Sequence, residues 1–200
     1  METTFYTKIA AILQLDPEAR HAEMRKLHGK LLPLYISAIE QISSEKAAQK
    51  SSDDRSIAQV VGHILEWDRF IIQSSSEIIS GCSTPRLFNL KGYLDPYGNS
   101  YDFESIDDFN GFQAVRQAGL AWPVIQEEAL RVAKAIQALF FQESLLTAGT
   151  LEETALYDWH SPDDKVIRTT SGWFLWVIAM EHETIEHAFD LNINIDESLV

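Results

Sequence analysis

Near the C-terminus, MEHETIEHAFDL places His182, His187 and four carboxylates within ten residues. Imidazole and carboxylate are the donors that helical metalloproteins turn inward to hold divalent ions. An H-E-x-x-H zinc motif would need its second histidine at 186, but Glu186 stands there and His187 follows it. On an α-helix, residues four apart share a face, whereas residues five apart diverge by about 140°. That arithmetic offers two pairs, His182 with Glu186 or Glu183 with His187. The stripe Trp173, Trp176, Met180, Glu183, His187, Asp190 and the rival Leu175, Ile178, His182, Ile185, Phe189 are both apolar. Periodicity leaves the choice open.

Either pair needs a further ligand from elsewhere. His63 qualifies: in SIAQVVGHILEWDRFII it lies on a helical edge with Val60 and Trp67, among aliphatic residues. A lone inward histidine is usually a core residue hydrogen-bonded to a carbonyl or carboxylate. A second inward histidine beside a carboxylate shifts the reading toward a metal site. Trp67 and Asp68 follow one turn later, as packing or as groups that orient a ligand. His160 reads as an exposed loop residue, and His21 and His28 carry no motif.

The elements that must position these residues are helical, since four long segments show helical spacing and none shows sustained strand alternation. A short helix near 2–13 precedes a first long helix from about Pro17 or Ala22 to about Ala48, with Pro33 a point of kinking. Ser56 or Asp54 caps the second, which stops at Gly81. A third region spans about 106–146, interrupted near Gly119 and Pro123, and the fourth covers about 170–191. Turn-rich segments after the second and third helices read as long loops. The expectation is one all-α domain over residues 1–200, a four-helix bundle with an extra N-terminal helix.

Two of these segments carry a family resemblance. SIAQVVGHILEWDRF and TSGWFLWVIAMEHETIEHAFDL resemble the metal-binding helices of the DinB/YfiT-like superfamily. Most such proteins have His-x3-His in the last helix. The Glu-x3-His spacing here is similar to the branch of mycothiol-dependent maleylpyruvate isomerase. The resemblance implies ligands at His63, Glu183 and His187, with Asp190 at a position where a polar residue recurs. The ending Ala188-Phe189-Asp190 departs from that family's usual one, and His182 leaves His63, His182 and Glu186 as the alternative set.

Two imidazoles and a carboxylate suit several divalent metals, zinc or nickel foremost, and three ligands leave a coordination position open for catalysis. The resemblance implies a low-molecular-weight thiol as cofactor or co-substrate, and S-transfer or isomerisation of a small electrophile. A carboxylated thiol would want a cation, for which Arg69 and Arg168 are the candidates. The rival expectations are a metal-binding stress-response or interaction protein without turnover, dimeric through an apolar helix face, and a helical protein with only a buried hydrogen-bond cluster.

Composition bounds these readings. The 200 residues are 46% hydrophobic, enough for one sizeable core. A net charge of -14 with no basic cluster argues against nucleic acid. No apolar run is long enough for a bilayer span, and METTFYTKIA lacks the features of a signal peptide. The single Cys82 fits a reducing compartment. A cytoplasmic protein acting on a small molecule is the expectation.

Overall fold

The computed structural model describes residues 2–52, 54–142, 144–160 and 166–195. Helix α1 covers Glu2–Leu13 and α2 covers Pro17–Gln41. The Asp16 side chain accepts from the Ala19 N–H, and Pro17 occupies the first turn, where its missing N–H costs nothing. Helix α2 continues through Pro33 but ends earlier than its periodicity suggests. Beyond Ile42, the Ser43 side chain accepts from Lys46 N–H and starts a separate short helix, α3, Ser44–Ala47.

Helix α4, Ile57–Ile79, opens on a capping box in which Ser56 and Gln59 satisfy each other's backbone N–H groups. Gly81, at φ +87°, follows its end. The third helical region divides into α5, Ile106–Gln117, and α6, Trp122–Phe141, with Pro123 in the first turn of α6. Short α7, Ala148–Glu152, precedes α8, Ser171–Met180, every residue of which is buried.

The chain is mostly helical, as its periodicity predicts, but the loops carry two antiparallel strand pairs that it does not. Strand β1, Tyr93–Leu94, pairs with β2, Ser100–Tyr101. Strand β3, Leu156–His160, pairs with β4, Val166–Thr170, setting Trp159 opposite Ile167. These runs are too short, and their outward residues too mixed, with Leu94, Leu156 and Val166 exposed, for alternation to stand out from turn composition.

Four helices close a ring of contacts, with α2 against α6 and α8, and α4 against the same two. Trp173 and Trp176 of α8, Tyr35 of α2 and Phe70 of α4 are fully buried within it. Among the described residues no helix is long and apolar enough to cross a membrane.

Candidate metal centre

The last helix changes its pitch where the chemistry begins. Residues Glu181–Glu186 form a π-helical turn continuing α8. A π turn bonds residue i to i+5, so side chains five apart stack on one face, and such turns favour functional sites. The divergence of His182 and His187 expected from α-helical geometry therefore does not occur. Both approach His63 from α4, with ring centres 5.8 Å away for His182 and 5.4 Å for His187.

Two of the three imidazoles are held from behind by hydrogen bonds. His63 Nδ1 donates to Gln113 Oε1 at 2.7 Å, and His182 Nδ1 donates to the Ile178 carbonyl at 3.2 Å. A proton on Nδ1 leaves the Nε2 lone pair for a ligand. His187 Nδ1 lies 3.9 Å from Asp190 Oδ2, and its buried Nε2 has no hydrogen-bond partner among the described residues. Asp190 is itself fixed by the Ser52 backbone N–H at 2.8 Å and the Ser52 hydroxyl at 3.2 Å. Carbonyl or carboxylate support behind a ring is the arrangement that orients metal-binding histidines.

Helix α5 secures the His63 side. Gln113 and Gln117, one turn apart, both face α4, and Gln117 Nε2 lies 2.5 Å from the Gly62 carbonyl it donates to. A Cβ at Gly62 would sit 1.3 Å from Gln117 Oε1, so only glycine admits this approach beside His63.

The electrostatics keep the rings uncharged at neutral pH. Burial pushes His63 from 6.5 down to about 4, helped by the neighbouring His182 and Arg55. Burial likewise lowers His182 to about 4. His187 falls to about 3, through burial and then through His63, His182 and Arg55. Glu186 is exposed and stands in front of the group, 3.5 Å from His182 Nε2 and 4.0 Å from His187 Nε2.

Glu183 points elsewhere. Fully buried, it accepts from His28 Nε2 at 2.8 Å, while Trp176 Nε1 donates to His28 Nδ1 at 3.0 Å. The indole donor requires a bare Nδ1, which places the His28 proton on Nε2. Burial lowers His28 to about 3. Burial raises Glu183, and burial and then Glu183 raise Asp68. Glu183 Oε1, both Asp68 oxygens and the Tyr35 hydroxyl are buried without hydrogen-bond partners among the described residues. The structure thus brings His182, rather than Glu183, to His63 and His187, because the π turn sends residue 183 toward α2. The members of the alternative set do come together, His182 facing His63 and Glu186 lying 3.5 Å from His182 Nε2, with His187 added to them.

Sequence reasoning passed over His28, although Met24, His28, Leu31 and Tyr35 follow helical spacing and are all buried. That inward stripe was the available signal. Arg69 pairs with Glu66 at 2.7 Å and with Glu128 at 2.5 Å, and Arg168 pairs with Asp158 at 2.8 Å, so both are engaged away from the imidazoles. His160 is exposed.

A cleft of about 640 Å³ opens onto His63, His182 and Glu186. A wider groove of about 1330 Å³ runs past Lys50, Phe189 and Asn192 and reaches none of the three imidazoles. Among the described residues no group of three or more His, Cys, Asp or Glu side chains is placed to hold a metal ion. Comparison with family models, with curated proteins and with solved structures finds no match.

Proposed function

We propose that this chain is a DinB-like four-helix-bundle protein whose His63, His182 and His187 hold a divalent metal ion, and that it is a metal-dependent enzyme acting on a small electrophile. The observation that carries the reading is the grouping of three uncharged imidazoles from two separate elements, two of them hydrogen-bonded at Nδ1, beside an open cleft. The donor set fits the ion: neutral imidazoles suit zinc or nickel, and the unpartnered Nε2 of His187 is a buried lone pair in need of one.

Bound there with three protein ligands, such an ion supplies Lewis acidity to a coordinated thiol or water. The chain's own residues do the rest. Gln113 and Asp190 orient rings, and Glu186 accepts a proton from a molecule seated in the cleft. A low-molecular-weight thiol is the co-substrate that the family resemblance suggests, in S-transfer or isomerisation. The open cleft favours turnover over a sealed metal-binding protein.

Elemental analysis of untagged protein, after exposure to zinc or nickel and dialysis, tests the reading. One equivalent is expected in the wild type and in Glu183→Gln, with affinity reduced more than about 100-fold in His182→Ala and His187→Ala. Metal retained by His182→Ala but lost from Glu183→Gln would overturn this ligand set. No metal in any of them would overturn the centre.

A further inference from the structure

The cleft above the imidazoles has walls of one chemical character. Trp67 and Phe88 line it together with Tyr157 and Phe174, which stack on each other with ring centres 4.5 Å apart. The rings come from four different elements or loops, so the fold assembles this aromatic lining and no local motif does. Among the described residues the charged side chains in the wall, the imidazoles apart, are Glu181 and Glu186, and neither lysine nor arginine contributes to it. Glu181 is held in place by the hydroxyl of Tyr6, which donates to its Oε1.

Electron-rich rings with carboxylates at the rim attract organic cations through the ring quadrupole and through direct charge, and the described wall has no lysine or arginine to offset an anion's desolvation. A metal ion on the imidazoles opposes that preference, so the chelator-treated chain shows it most strongly. We propose that the cleft receives a small organic cation, an amine or quaternary ammonium on an apolar body. This deepens the reading above, on which it rests for taking the cleft as the substrate side of the centre. It sharpens the thiol expectation too, since a thiol bearing an ammonium group suits this wall better than a carboxylated one. The volume of about 640 Å³ accommodates a molecule of drug-like size or smaller.

The test is a binding titration of the full chain, chelator-treated and metal-loaded, with three probes of matched shape: choline, 3,3-dimethylbutan-1-ol and 3,3-dimethylbutanoate. Choline is expected to bind about tenfold more tightly than the alcohol, with the carboxylate weakest. Glu181→Gln should shrink the preference for choline over the alcohol several-fold. Tyr157→Leu, which leaves the charge unchanged, should weaken choline more than the alcohol. Equal binding of choline and the alcohol, tightest binding of the carboxylate, or an unchanged preference in both variants would overturn the proposal. The two readings fail separately: a chain that takes up no metal yet ranks the probes in this order loses the metal centre and keeps the cation cleft. A chain that binds metal but prefers the carboxylate does the reverse.

Discussion

Two groups of polar residues flank the same π turn and differ in almost everything except their amino-acid types. On one side His63, His182 and His187 meet beside an open cleft, with ring nitrogens left over for a ligand. On the other, His28, Glu183, Asp68 and Tyr35 are sealed in the core, and the one imidazole there is engaged at both nitrogens. Histidine and carboxylate content alone does not distinguish a ligand site from a structural island. Access to a cleft does, since unpartnered polar atoms occur on both sides.

The largest expected effect that separates the groups is on stability against pH. His28, His63, His182 and His187 all lie below 6.5 in the fold, so between pH 6.5 and about 4 the unfolded chain binds more protons and acid destabilises the metal-free protein. Asp68 and Glu183 are raised, so their contribution runs the other way and is lost as pH rises through their folded values. Near pH 5.5 the four imidazoles outnumber the two carboxyls, so stability falls toward acid. Once the imidazoles are neutral in both states the carboxyls alone set the slope, and stability declines as pH rises toward their folded values. Denaturant titrations from pH 5 to 9 should show stability rising from the acid end, and Asp68→Asn should flatten the decline at higher pH. A stability that does not change across that range would dissolve the contrast.

A smaller effect tests the sealed side alone. Glu183→Ala leaves the His28 Nε2–H unpaired beside a cavity and should cost about 2–4 kcal/mol in chemical denaturation. Metal affinity should stay within about threefold of the wild type, whereas a parallel loss of metal would merge the two groups into one site. Smallest is Gln113→Ala, which frees the His63 ring. It should weaken metal binding by about tenfold at nearly unchanged stability, read by competition with a chromophoric chelator.

Much of the architecture was legible. The cap at Ser56, one of two candidates with Asp54, the stop at Gly81 and the break near Pro123 each follow from local chemistry, and their boundaries lie close to those expected. His63 and His187 stood out because imidazoles on apolar helical faces are conspicuous. His182 was set aside for a reason specific to pitch: a sequence pattern is read at 3.6 residues per turn, and nothing in HETIEH announces a wider one. Gln113 and the β3–β4 hairpin were hidden differently. Their roles come from tertiary neighbours rather than from any local period.

The π turn also divides the last helix into two reading frames. Upstream, the α-helical frame fits Trp173, Trp176 and Met180 into the core; downstream, the frame is advanced by one residue, as though a single amino acid had been slipped into an ordinary helix. Packing and ring placement therefore follow different pitches along one continuous segment. The two halves stay joined, through the Ile178 carbonyl to His182 and through Trp176 and His28 to Glu183.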